Sequence, residues 1–308
     1  MKAEKTLPSL MDVFKQAWDR TVKLWPLFLV QFGLIIIIYA SIIIVLLIIF
    51  GPLIAKYASF IMDNMKNFQD ADWSQFGSDY VARFSDPVWL SIVVGLIFLL
   101  ITWWLMLMAV FESGLYSTFW RWIRDEKPFN PKQFFKDGFQ YMMPMIWLYC
   151  WLSLLGAAIF LVFGVIAGLV VGALALIHFN TIAVILCSVL IGVPLFFLFL
   201  VAMVLFSVYA LVARAQVSQG STARESLREA YDLCRKNRWR IMKGTVLILV
   251  LYVIAFMAVR MVLGLFSMIP LIGILFSLLD FFVAMVVGIV VGVYIPGLTV
   301  TFIDESEA

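Results

Sequence analysis

PLFLVQFGLIIIIYASIIIVLLIIF, residues 26–50, contains no Asp, Glu, Lys or Arg. A helix needs about 20 mostly apolar residues to cross the hydrocarbon of a bilayer, and this run supplies them. It is apolar throughout, whereas a barrel strand alternates apolar and polar positions. The stretch therefore reads as a membrane-spanning helix. Five similar runs follow, at 88–111, 142–177, 182–212, 241–266 and 271–303. The third and fourth runs exceed one straight crossing, which predicts tilt or extension beyond the bilayer. Turn chemistry separates the spans, as HFNT at 178–181 and SMIPLIG at 267–273.

Composition agrees with these runs. The chain has 308 residues, 64% hydrophobic and only 13% charged, with mean hydropathy +1.05. A soluble domain carries about 25% charged residues to cover its surface, so a soluble globular fold is excluded. Disorder is excluded for the same reason, since it requires low hydrophobicity. The N-terminal arm does not read as a cleavable signal, because charged residues precede a long apolar run and no small-residue cleavage site follows.

The bases give an orientation through the positive-inside rule. Of the 22 Lys and Arg, 18 lie in the N-terminal arm, the loop after the second span and the loop after the fourth. The loop after the first span has only Lys56, Lys66 and Arg83. Both termini are therefore expected in the cytoplasm.

Each basic segment precedes an odd-numbered span, and the three align without gaps. They read SLMDVFKQAWD (9–19), NPKQFFKDGFQ (130–140) and TARESLREAYD (222–232). Each opens with a helix-capping residue, Ser9, Asn130 or Thr222, whose side-chain oxygen accepts an orphan N–H of the first turn. Asp12 and Glu225 stand at capping-box spacing, and Pro131 takes the first helical position. Then come a large apolar residue (Phe14, Phe135, Leu227), a base (Lys15, Lys136, Arg228), a polar residue (Gln16, Asp137, Glu229), a small residue (Ala17, Gly138, Ala230) and an aromatic (Trp18, Phe139, Tyr231). The apolar members recur every three or four positions, one face of a helix. A short helix of this kind lies in the headgroup plane, with its aromatics at the acyl boundary. The small residue permits close approach to a neighbouring backbone. The expected fold class is thus all-α integral membrane, a single membrane domain over 1–308 with six transmembrane helices in three hairpins. An amphipathic interfacial helix leads each hairpin, in a threefold internal repeat over about 9–111, 130–212 and 222–303.

The third segment continues as ARESLREAYDLCRKNRWRIMKGTVLILVLYVI, 223–254. It resembles a segment recurring in bacterial six-span membrane protein families of unknown function, in which a helix runs through a basic, Trp-containing patch into a span. It is similar as well to the membrane-anchor domain of glycerophosphodiester phosphodiesterases. The resemblance covers most of the chain in topology but only 223–254 in motif. It implies a fold and a bacterial inner-membrane location. It carries over no activity, because the soluble phosphodiesterase domain has no counterpart in this sequence.

Catalytic constellations are scarce. The single histidine, His178, has no carboxylate neighbours, so no metal site and no triad is expected. Cys150, Cys187 and Cys234 show no CxxC spacing. Neither GxxxxGK[ST] nor a strand-borne GxGxxG occurs. No cofactor, metal or catalytic residue is assigned. Arg260 and Asp280 lie inside the fifth and sixth runs, at similar depth, and are charges in a place where charge is costly. They read as an intramembrane ion pair, with a lipid-headgroup, substrate or proton site as the alternative. Glu112, at the end of the second run, reads as interfacial.

Gly156, Gly164, Gly168 and Gly172 form a small-xxx-small ladder, and Gly288 and Gly292 repeat the spacing, which suits close helix packing or an oligomer contact. Pro194 should kink its span. The outer loop 51–87 mixes aromatics with acids and reads as short helices resting on the membrane surface. Arg224, Arg228, Arg235, Lys236, Arg238, Trp239, Arg240 and Lys243 form a basic patch beside a span, the composition of an anionic-lipid contact. Nucleic acid is not expected, because a span follows immediately. The partners expected are membrane lipids, with a protein partner or homo-oligomer open. The function expected is a non-enzymatic inner-membrane scaffold or lipid-interacting protein. A transporter or channel for a lipid or small solute is the alternative.

Overall fold

The computed structural model describes residues 10–63, 85–176, 181–237 and 270–307, with single positions at 78, 82, 239 and 243. All regular structure among them is helical: α1 (Leu10–Lys23), α2 (Pro26–Asp63), α3 (Pro87–Asp125), α4 (Pro131–Gln140), α5 (Met142–Leu176), α6 (Thr181–Val217), α7 (Ala223–Lys236) and α8 (Pro270–Glu307). Five of these helices are long and apolar enough to cross a membrane, which makes the chain a multi-pass membrane protein. The run 241–266, expected as a further span, lies outside the described residues.

Local chemistry accounts for the helix boundaries. Asp86 accepts the Val88 N–H at 2.9 Å, immediately before α3 begins at Pro87. Asn130 caps α4 by accepting from Lys132 and Gln133, with Pro131 at the first helical position. Thr222 and Glu225 close a full capping box on α7. α6 ends at a turn in which Gly220 takes φ +104°, a left-handed conformation that glycine adopts without a Cβ penalty. The first span is longer than its apolar run. The helix continues through Gly51 and Pro52 to Asp63, so the start of the expected outer loop extends α2.

The described chain divides into two compact units, residues within 29–108 and residues within 1–28 and 109–308. In the first, Trp103 on α3 donates its indole N–H to Ser41 on α2 at 3.3 Å. In the second, the core sits at the basic ends of the spans. All but one of the residues from Ala109 to Trp120 of α3 are buried, and so are Leu24, Leu27, Met145, Leu148, Ala213, Val217, Val300 and Ile303. Away from that core the spans turn their apolar side chains outward, with Leu169 69% and Leu198 61% exposed. Such surface is tolerable only against lipid tails.

Candidate functional site

Two features at the basic end carry functional content: the seats of the short helices and a buried polar nest between three spans.

The short helices are seated in a common manner. α1 lies on α8, α4 on α3, and α7 on α6. The positions at the fourth and eighth places after the cap turn inward in all three. They are Val13 and Ala17, Phe134 and Gly138, and Ser226 and Ala230, all buried. The aromatic at the next place turns outward each time, with Trp18, Phe139 and Tyr231 49%, 64% and 57% exposed. The bases Lys15, Lys136 and Arg228 are exposed with them. Small residues are required at the α4 seat because the backbones nearly touch. A Cβ on Gly138 would lie 2.6 Å from the Val110 carbonyl oxygen, and one on Gly114 2.8 Å from that of Phe134.

The receiving spans contribute matched groups. The Tyr294 hydroxyl donates to the Phe14 carbonyl at 3.3 Å, and the Tyr209 hydroxyl donates to the Leu227 carbonyl at 3.0 Å. Phe14 and Leu227 occupy the same place after their caps. On α3 the corresponding residue is Phe111, which has no hydroxyl and instead sets its ring 5.9 Å from that of Phe134. Each of these aromatics follows a valine, as Val110-Phe111, Val208-Tyr209 and Val293-Tyr294. A buried polar residue stands seven places further along each helix, Thr118, Gln216 or Thr301. This pattern at the span ends is not legible in the sequence, because a Val-aromatic pair inside a long apolar run has no contrast with its neighbours.

Ion pairs reinforce two of the three seats. Arg121 of α3 holds Asp137 of α4 at 3.1 Å, and Arg20 of α1 approaches Asp304 of α8 at 3.8 Å while donating to Thr301 at 2.9 Å. In the turn that follows α6 the place of Arg121 and Asp304 is taken by Gln219, which is uncharged; its Oε1 accepts from Arg124 at 3.3 Å and its Nε2 is buried without a partner.

The nest lies between α3, α5 and α6. Arg214 Nη1 stands 3.2 Å from Glu112 Oε1, with the two side chains only 29% and 14% exposed. The guanidinium lies over the Tyr149 ring, 5.4 Å from its centroid. Tyr116, one turn beyond Glu112, is 1% exposed. The Tyr149 hydroxyl is turned toward Glu112 without closing a well-formed hydrogen bond. Glu112 Oε2, Ser113 Oγ, Tyr116 Oη and Arg214 Nε are also buried without partners. Buried polar atoms are normally satisfied, so this concentration is unusual. In the sequence Glu112 stands at the end of the second apolar run and Arg214 among the bases after the fourth. The tertiary structure makes them each other's partner.

Of the remaining sequence-derived candidates, Arg224, Arg228, Arg235 and Lys236 are exposed on α7, and Trp239 and Lys243 are exposed beyond it. Arg238, Arg240, Arg260 and His178 lie outside the described residues, as do the side chains of Asp280 and Cys187. A Cβ built on Gly164, Gly168 or Gly172 meets no described atom within 4 Å, whereas one on Gly156 meets Phe206 at 3.5 Å. Packing against another described helix therefore accounts for the ladder only at Gly156. Among the described residues no cluster of three or more His, Cys, Asp or Glu is placed to hold a metal ion. No family model, curated protein or solved structure matches the chain.

Proposed function

We propose that this chain is a non-enzymatic, lipid-interacting scaffold protein of a bacterial inner membrane, with six spans in three repeated hairpins and both termini in the cytoplasm. One observation carries the reading. Three short helices bury matched positions against span ends and present a base and an aromatic outward. A base beside an aromatic is the chemistry of the headgroup layer, where the ammonium or guanidinium meets lipid phosphate and the ring sits at the acyl boundary. The basic surface of α7, continued by Trp239 and Lys243, is the strongest such contact and favours anionic lipid. The bacterial location is proposed from the resemblance read in the sequence of 223–254.

Native mass spectrometry of protein extracted in a mild detergent tests the proposal. The expected result is retained anionic phospholipid, lost when Arg224, Arg228, Arg235 and Lys236 are all changed to Gln. Protein free of lipid, or binding indifferent to those four substitutions, counts against it.

The second reading, a transporter for a lipid or small solute, draws on the Glu112–Arg214 nest. Ionisable residues between spans are costly and are commonly kept for a solute or proton path. Solute uptake into proteoliposomes that stops in E112Q protein would favour this reading over the scaffold.

A further inference from the structure

The three short helices share a seat but are not held equally. α4 buries Phe134 and has the Arg121–Asp137 pair at 3.1 Å. α1 buries Val13 and has Arg20 bonded to Thr301 at 2.9 Å, with Asp304 beside it at 3.8 Å. Among the described residues α7 has neither kind of anchor. Its inward positions are Ala223, Ser226 and Ala230, so Ser226 stands where Val13 and Phe134 bury apolar surface. The Ser226 hydroxyl is spent on Thr222 of its own helix, at 2.9 Å. Half-buried Leu227, Leu233 and Cys234 add some apolar cover. Apolar burial scales with area, and an alanine–serine face supplies little.

No ion pair joins α7 to α6 among the described residues. Gln219 replaces the charged partner. Glu229, in the place of Asp137, accepts instead from Ser221 at 3.1 Å. The hydrogen bond from the receiving span is Tyr209 to the Leu227 carbonyl, 3.0 Å. This least anchored helix is also the one that exposes Arg224, Arg228, Arg235 and Lys236.

We infer that α7 is a detachable arm, released from its seat on α6 when its basic face engages an anionic lipid surface, while α1 and α4 stay fixed. The inference rests on the lipid-interacting reading above and adds a moving part to it. In the seated state the bases face outward but are fixed by the helix to one plane. Release lets them follow the lipid phosphates, and among the described residues it gives up the Tyr209 hydrogen bond and the contacts of α7 with α6 and α5. Local opening of this kind draws on the least stable contacts of a fold.

Matched thiol probes test the difference. Ala17 and Ala230 occupy the same buried place, each 0% exposed, so A17C and A230C are made separately in protein with its native cysteines changed to Ala. Each variant is reconstituted in nanodiscs of phosphatidylcholine alone or with phosphatidylglycerol, and maleimide modification is timed by mass spectrometry. The A230C thiol is expected to react about tenfold faster with the anionic lipid present, and the A17C thiol to stay slow in both. Adding Y209F should raise the A230C rate further even without anionic lipid, whereas Y294F should leave A17C slow because the Arg20 contacts persist. Equal, slow labelling of both thiols in every nanodisc overturns the detachable arm. Native mass spectrometry of phosphatidylglycerol retained by the same protein in mild detergent reads lipid binding separately. Retained lipid without lipid-dependent labelling would defeat the arm alone, and absence of retained lipid would defeat the lipid-interacting reading beneath it.

Discussion

Arg214 Nη1 lies 3.2 Å from Glu112 Oε1 and ties the basic end of α6 to that of α3. Removing either partner strands a charge among buried groups that already lack hydrogen bonds. E112A and R214A should each destabilise the protein by about 3 kcal/mol, while replacing both with Met should cost less than either single change. Thermal unfolding in a mild detergent measures the three. A double variant as unstable as the sum of the singles would show that the two residues do not act as a pair.

Gly138 and Val110 set the spacing of the α4 seat. A methyl group at 138 would meet the Val110 carbonyl oxygen at 2.6 Å, and backbone cannot step aside as a flexible side chain does. G138A should cost about 1–3 kcal/mol, the range for overpacking a tight contact. The opposite change at the matched places, A17G or A230G, removes a methyl and adds backbone freedom, costing about 0.5–1 kcal/mol. Comparative melting curves give the order, and a neutral G138A would mean that α4 is not seated closely.

The cap of α7 has a pH signature. Hydrogen bonds from the Thr222 hydroxyl and backbone N–H hold the Glu225 carboxyl below its ordinary value. A depressed carboxyl stabilises the folded helix fully above its unfolded value, and the contribution fades as pH falls through the folded value. Amide exchange in the first turn of α7 should therefore accelerate on acidification below the ordinary glutamate range. T222A, expected to cost about 1 kcal/mol, should weaken that pH response, because the hydroxyl is lost while the backbone N–H at 222 still donates to Glu225. An unchanged response in T222A would reject the cap as its source.

Cys234 supplies a further check on the seated helix. Burial pushes its thiol up to about 11, so it is protonated at neutral pH and a poor nucleophile. Its alkylation rate in detergent should climb about tenfold per pH unit well beyond pH 9 before levelling off. A plateau near the ordinary thiol value would mean that Cys234 is open to water.

The short helices were readable because capping residues announce a helix start and because a small residue before an aromatic stands out among charged neighbours. Asn130 and Thr222 cap as their chemistry requires. The nest was not readable. Glu112 and Arg214 are 102 residues apart, and each alone resembles the ordinary charge found where a span meets water. Their pairing depends on how α3 and α6 are packed. The same holds for Tyr209 and Tyr294, whose hydroxyls find carbonyls on helices far away in sequence.

What the sequence determined by itself was the solvent of each segment. Apolar runs longer than a bilayer is thick must be helical and must meet lipid, because unpaired backbone groups are too costly there. Caps and prolines likewise set where helices begin, since those effects act within one turn. The tertiary structure decided which ends touch: that α3 carries the core, that α1 rests on α8 at the far end of the chain, that Glu112 finds Arg214, and that Gln219 leaves α7 without the ion pair its counterparts have. Those outcomes follow from packing between segments distant in the chain, and no local periodicity encodes them.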